Sequence, residues 1–378
     1  MGLRNVMVVT GEASGDGHAA DLVGELLRRD PSLRFFGMGG SKLAALGVDL
    51  VHGAHEVSVM GLVEVLPKVR RILHVLDRLE AVARRRRPKL AILVDIPDFN
   101  LRLARRLKAM GIPVAYYISP TVWAWRQGRV KAIARDVDRM LCILPFEEDF
   151  YRQRGVAARY VGSPVVEQVP PPAPMAQFRA QLGLAPDRPV LALLPGSRMG
   201  ELTRILPTLV EAARLLLRER PELQLVVPVA HTLSREVVAA PFGELKPILI
   251  DGRAAEVVGA SDVAVVASGT ATLEAALMQR PMIVVYRMSP LTFAIGRRLV
   301  KLEHVSLPNL LLGRRVVPEL LQEAFTPQAV AAEVRRLWSP GLDQQTMLAG
   351  LAEVRARIGE KGASGRAADS VQELLQKS

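Results

Sequence analysis

The chain alternates short apolar runs with longer amphipathic segments, and it does so twice, on either side of a proline-dense stretch. In the first half the runs are NVMVVT (5–10), LRFFGM (33–38), LAILVD (90–95), PVAYYIS (113–119) and RMLCIL (139–144). Each is apolar at consecutive positions, so both of its faces must be covered, as in a parallel strand packed between helices. Segments such as Ala19–Arg29 and Leu101–Met110 supply such helices. VGSPVVEQVPPPAPM then places four prolines within 170–174 and reads as a stiff linker between domains. Beyond it the pattern restarts with PVLALLP (189–195), LQLVVPV (223–229), PILID (247–251), DVAVVAS (262–268) and PMIVVY (281–286).

Two successive βαβ arrays, each with its own parallel sheet, are the economical topology. A length of 378 residues also favours two cores over one. The expectation is an α/β protein of two Rossmann-like domains, 1–164 and 165–349. Residues 351–378 read as two helices broken at the Gly-Ala-Ser-Gly segment.

At 49% hydrophobic and 23% charged residues, the composition suits a globular fold throughout. One cysteine, Cys142, can form no internal disulfide and fits a reducing compartment. The start of the sequence lacks the long apolar core of a signal peptide, and no apolar run approaches the ~20 residues that span a bilayer. The expected location is therefore the cytoplasm, with attachment to a membrane surface left open. The net charge of +12 is uneven: residues 1–164 hold 26 basic and 17 acidic side chains, the remainder 24 and 21. A basic first half suits an anionic partner: nucleic acid, an anionic bilayer or a phosphorylated substrate.

In open α/β sheets, ligands bind beyond the carboxyl ends of the strands, so the loops after each strand carry the information. TGEASGD (10–16) is a run of small residues leading into a helix, either an anion-receiving turn or a plain β–α connection. GMGGSK (37–42) fails the dinucleotide fingerprint because Lys42 stands at the last glycine position, and no phosphate-binding loop of the ATPase kind is present. DIPDFN (95–100) offers Asp98 in an apolar context, where a carboxylate can be tuned towards a general base; capping of the next helix is the equal alternative. SPTVWAWR (119–126) puts two tryptophans in one loop, for a sugar or acyl wall or for the core.

In the second half, LPGSR (194–198) brings Gly196, Ser197 and the forked donor of Arg198 to a helix start, a fair site for a phosphate. ASGTATLE (267–274) adds Ser268, Gly269, Thr270 and, one turn in, Glu274, whose carboxylate can accept both hydroxyls of a ribose. Together the two loops favour a nucleotide site. The histidines are scattered, and no cluster has metal-ligand spacing.

These motifs, with SVMGLVEVL (58–66) and VSLPNLLL (305–312), occur in the order found in lipid-A-disaccharide synthases, which the chain resembles from about residue 5 to about 325. The resemblance implies a GT-B fold with UDP on the second domain, the acceptor on the first, and a C-terminal helix (about 350–378) crossing back to the first. It implies transfer from UDP-2,3-diacylglucosamine to 2,3-diacylglucosamine 1-phosphate (lipid X), with inversion, in lipid A biosynthesis. It further implies no metal and no cofactor, Asp98 as base, Arg198 on the diphosphate, Glu274 on the ribose and Asn309 near the donor. Glu12, Ser14, Asn100 and Trp123 would lie on the acceptor side. One departure is Ser163, where the family usually has Gly-His-Pro.

Two alternatives compete. Another UDP-N-acetylglucosamine enzyme of this fold, a peptidoglycan N-acetylglucosaminyltransferase or a 2-epimerase, would keep the second-half loops without SVMGLVEVL and SPTVWAWR. A nucleic-acid-binding protein would fit the charge, but aromatics are only 4% and are not interleaved with the basic runs. No nucleic acid is therefore expected as a partner.

Acylated substrates also need a route from the bilayer. From Val59 to Leu79 the apolar positions, among them Val65, Leu66, Val69 and Leu73, cover more than one helical stripe, beside Arg70 and Arg71. That pattern fits either a membrane-surface segment or a helix buried against the sheet. The lipid substrates favour the first, docked on the cytoplasmic face of the inner membrane.

Overall fold

A computed structural model describes residues 4–54, 65–125, 127–171, 173–289 and 303–377. The chain forms two compact units, residues 1–164 with 360–378, and residues 165–359. The division between Pro164 and Val165 falls within the stretch 161–175 read as the linker, and the proline run 170–174 lies on the second unit's side of it. The turn between the last two helices also differs from expectation. It lies at Gly359–Gly362, where both glycines have positive φ (75° and 102°), whereas Ala363–Gly365 already begin the final helix.

The first unit holds a seven-stranded parallel sheet. Its strands are β1 (Arg4–Val9), β2 (Leu33–Gly39), β3 (Asp49–Gly53), β4 (Leu90–Val94), β5 (Val114–Tyr117), β6 (Arg139–Cys142) and β7 (Ala158–Tyr160), in the order 3-2-1-4-5-6-7. The order reverses between β1 and β4, so their carboxyl ends flank a crevice of the kind that takes ligands. Consecutive apolar residues divide between two cores. Met7 and Val9 enter one layer with Leu93 and Tyr116, while Val6 and Val8 enter the other with Ile92 and Tyr117. The helix Ala13–Arg29 covers this second layer, and so does the final helix, Ala363–Lys377, through Ala367, Ala368, Val371, Leu374 and Leu375. Arg29 on the first of these helices bonds Asp369 at 2.6 Å on the last. The crossing-back of the C-terminal helix is thus a packed layer of the first unit.

The second unit repeats the scheme with β8 (Val190–Leu194), β9 (Gln224–Val229), β10 (Ile248–Asp251), β11 (Val263–Ala267), β12 (Met282–Tyr286) and β13 (Glu319–Leu321), ordered 10-9-8-11-12-13. β3, β7 and β13 were not expected. All three are edge strands paired on one side only, so they need no unbroken apolar run.

The helix Val65–Arg86 corrects part of the membrane reading. Val75, Leu76, Leu79 and Ala83 are fully buried in the core layer beneath β1 and β4. Part of the basic run is engaged too: Arg84 pairs with Glu80, and Arg86 pairs with Asp49 while lying 4.8 Å over the Phe36 ring. Leu73 remains 39% exposed, beside exposed Arg70 and Arg71. Residues 55–64 and the side chains of Val65, Leu66 and Val69 lie outside the described residues. Among the described residues, no helix is long and apolar enough to cross a membrane.

Candidate functional site

In the second unit the loops leaving β8, β9, β10 and β11 line one cleft of about 870 Å³. Gly196, Ser197 and Arg198 form part of its wall, with Ser268, Gly269, Thr270 and Glu274 contributed by the loop after β11. The sequence reading had named all of these. Gly196 has φ 108°, and a Cβ there would stand 2.5 Å from a Glu201 oxygen, so glycine is required twice over. Arg198 begins the helix Met199–Glu219 and keeps its side chain 79% exposed, able to swing onto a ligand. Glu201, one turn in, accepts the Ser197 N–H at 3.2 Å and sits 3.6 Å from the Arg198 guanidinium. An arriving diphosphate would compete with that carboxylate for both donors. Glu274 projects from the helix Ala271–Leu277, and burial pushes its carboxyl above the usual range.

Sequence reasoning missed other residues of this wall, among them Glu201, His231, Arg253 and Tyr286. His231 and Arg253 follow β9 and β10, where the rule applied to the other loops would have found them. Arg253 adopts a left-handed backbone (φ 50°) next to Gly252, where a Cβ would stand 3.3 Å from the His231 ring.

Asn309 does not line the cleft. It is fully buried, donating to Val317 O at 2.9 Å and Glu319 Oε1 at 2.8 Å, and accepting from the N–H groups of Val316 (2.7 Å) and Val317 (2.9 Å). Every hydrogen-bonding position of its carboxamide is engaged within the fold. Its segment supports the cleft from behind, since Val305 O accepts the Ser268 hydroxyl at 3.2 Å and Leu307 N–H reaches Thr272 Oγ1 at 3.3 Å.

In the first unit the candidate residues gather at the carboxyl edge of β1, β4 and β5. Glu12 and Ser14 are exposed at the start of the helix after β1. A Cβ on Gly15 would collide with the Thr10 hydroxyl and lie 3.8 Å from Asp95 Cβ, so this turn abuts the β4 loop. There Asp95 and Ile96 both take positive φ (53° and 38°), a strained conformation for a non-glycine pair and most of all for a β-branched residue. Asn100 holds the turn by donating to Val94 O at 3.1 Å and Asp95 O at 2.9 Å, and the Tyr116 hydroxyl donates to Asp95 O at 2.6 Å. Asn100 is fully buried; its amide nitrogen shapes the edge, while its Oδ1 has no hydrogen-bond partner among the described residues.

The strained turn delivers Asp98 to the first turn of the helix Pro97–Ala109. Its side chain is 73% exposed and paired with Arg129, not set among apolar groups as the sequence suggested. Phe99 takes the inward position instead. Trp123 is half-buried, its indole N–H donating to Glu147 at 3.0 Å and its ring meeting Phe146 edge-on at 4.9 Å. Among the described residues, no group of three or more His, Cys, Asp or Glu side chains could hold a metal ion.

The sequence profile of the family described as lipid-A-disaccharide synthetase matches residues 6–365. This chain belongs to the lipid-A-disaccharide synthase family. The lipid-A-disaccharide synthase of Myxococcus xanthus (strain DK1622) is 64% identical over 372 residues, covering 98% of this chain and 97% of its own length. That of Anaeromyxobacter dehalogenans (strain 2CP-1) is 54% identical over 369 residues, covering 97% and 96%. Among solved structures, the calicheamicin glycosyltransferase CalG4 superposes with a TM-score of 0.64 at 16% identity, covering 100% of this chain and 99% of that one. Such low identity speaks for the fold alone, and that fold is GT-B.

Membership of the lipid-A-disaccharide synthase family makes the chain a hexosyltransferase and decides against the nucleic-acid alternative. At the expected Gly-His-Pro position, Ser163 is buried at 1% exposure and its hydroxyl has no hydrogen-bond partner among the described residues. Arg366 of the final helix closes this corner by donating to Val161 O at 2.8 Å and packing on Gly162.

Proposed function

We propose that the second-unit cleft holds the UDP of UDP-2,3-diacylglucosamine and that the carboxyl edge of the first sheet takes 2,3-diacylglucosamine 1-phosphate. The reaction is that of lipid-A-disaccharide synthases: the acceptor hydroxyl displaces UDP from the donor with inversion, giving lipid A disaccharide 1-phosphate. One displacement needs a base on the acceptor side and positive charge at the leaving diphosphate. Asp98 is the base, and Arg198 with the Ser197 N–H receives the diphosphate. Glu274 accepts the ribose hydroxyls. The observation that carries this reading is that two loops 70 residues apart in sequence, LPGSR and SGTATLE, wall a single cleft with Arg198 exposed and Glu274 set into its side.

Both substrates carry acyl chains, so the protein must meet a bilayer surface. We place that contact at the start of the helix Val65–Arg86, where Leu73, Arg70 and Arg71 are exposed, and on the cytoplasmic face of the inner membrane. The experiment that tests the function is incubation with UDP-2,3-diacylglucosamine and 2,3-diacylglucosamine 1-phosphate, followed by mass spectrometry. UDP and the disaccharide 1-phosphate should appear together. UDP release without a disaccharide, or neither product, overturns the reading.

A further inference from the structure

The helix Pro145–Arg152, which follows β6, reaches into a loop that follows a different strand. Its Glu147 is 1% exposed. One carboxylate oxygen accepts the Trp123 indole N–H at 3.0 Å, and the other accepts the backbone N–H groups of Ile143 (3.2 Å) and Leu144 (3.0 Å). Two more side chains of the same helix grip the same loop. The Tyr151 hydroxyl donates to Pro120 O at 3.1 Å, and the Phe146 ring stands at 89° to the Trp123 ring.

Capping alone does not account for Glu147. Taking a carboxylate out of water costs several times what one helix cap returns, and serine, aspartate or asparagine caps helices near the surface without that cost. The additional bond, to Trp123, joins the turn after β6 to the loop after β5. Gln127–Arg129 lie shortly after that loop in the sequence, and Arg129 is the partner of Asp98.

We propose that Glu147 is a positioning residue for transfer: by fixing the Trp123 indole it holds the loop 119–125, and with it Arg129, in the arrangement that receives the acceptor. The proposal rests on the acceptor-side placement proposed above. Burial pushes the Glu147 carboxyl up to about 7, opposed first by the Ser119 hydroxyl and then by the bonds from Leu144, Trp123 and Ile143, as expected for a carboxylate kept dry to hold a partner.

The test uses the full-length protein. The chain has three tryptophans, so a Trp125→Phe/Trp338→Phe background leaves Trp123 as the only indole reporter. In that background, measured at about pH 8.5 where the Glu147 carboxyl is ionised, Glu147→Gln sets an amide N–H against one of its donors. The near-UV circular dichroism of Trp123 should collapse and its fluorescence should shift to the red. With tryptophans otherwise native, Glu147→Gln should raise the acceptor KM about 10-fold while the UDP Kd stays within about twofold. Trp123→Phe, which leaves the carboxylate and its two backbone bonds in place, should raise the acceptor KM similarly. Adding Glu147→Gln to it should then cost no more than about a further twofold.

An unmoved Trp123 spectrum in Glu147→Gln overturns the proposal, as does an unchanged acceptor KM in Trp123→Phe. The second result stands even where Glu147→Gln fails to fold. Failure of the underlying reading is distinguishable, because it appears separately as near-normal turnover in Asp98→Asn.

Discussion

Arg129 donates to the Asp98 carboxylate from beyond the β5 loop, so the side chain assigned as base is paired with a guanidinium and open to solvent. That pairing has two consequences. The Asp98 carboxylate is oriented by the guanidinium, and the incoming hydroxyl must share it with Arg129.

Asp98→Asn should lower turnover by about 100-fold or more with UDP affinity within about twofold of wild type, as for loss of a general base. Single-turnover rates and calorimetric titration with UDP measure the two quantities. Near-normal turnover in a folded variant would remove Asp98 from the mechanism.

Arg198→Ala should weaken both UDP and free pyrophosphate, while Glu274→Ala should weaken UDP and spare pyrophosphate. One side chain meets phosphate and the other meets ribose, so the ligands divide between them. Equal losses for both ligands in both variants would refute the division.

Asn309→Ala should destabilise the second unit by about 3 kcal/mol or more, because the N–H groups of Val316 and Val317 lose their acceptor in a buried site. Denaturant midpoints report this loss, with a smaller change in UDP affinity passed on through Val305 and Ser268. A variant of wild-type stability with a large affinity loss would return Asn309 to the cleft.

Glu147 supplies a pH dependence. Its carboxyl is raised from about 4.5 to about 7 by burial, so the native state holds a proton that the unfolded chain has released. The stability this contributes is full below about pH 4.5 and is lost as pH rises through 7, on the order of 3 kcal/mol across the window. Glu147→Gln lacks this titration. Its Tm should therefore lag wild type most near pH 5 and least near pH 8.5, and a gap that is constant or widens with pH contradicts the assignment.

For the membrane surface, replacing Val65, Leu66, Val69 and Leu73 together by serine should release the protein from anionic vesicles in a flotation assay, with the Tm kept. Unfolding of the variant, or unchanged flotation, would assign the segment to the core.

The central strands were legible because burial on both faces leaves an unbroken apolar run, and LAILV of β4 can be little else. DLVHG, ARY and ELL at the sheet edges carry no such mark. The cleft was legible for a topological reason: parallel strands direct their following loops to one edge, so Gly196 and Ser268 were bound to be neighbours of a kind. What the sequence could not show is where a carboxamide spends its bonds. Asn100 and Asn309 occupy loops that look functional, yet their partners, from Val94 to Glu319, are fixed only by the folded backbone. Asp98 was misjudged for a related reason. Its neighbours Pro97 and Phe99 are apolar, but helical periodicity turns Phe99 inward and Asp98 out.

The final helix has a consequence for biosynthesis. Ala367, Val371 and Leu375 complete a core layer that includes Val6, Val8 and Leu22, which emerge from the ribosome some 350 residues earlier. The second unit is thus an insertion within the first, and it can close while the earlier-made sheet still has one apolar face unfinished. Until translation is nearly over, that nascent half leaves this layer without its covering helix, a surface for chaperones. A truncation before Ala363 should strand the protein in that half-finished state, with the second-unit cleft already built.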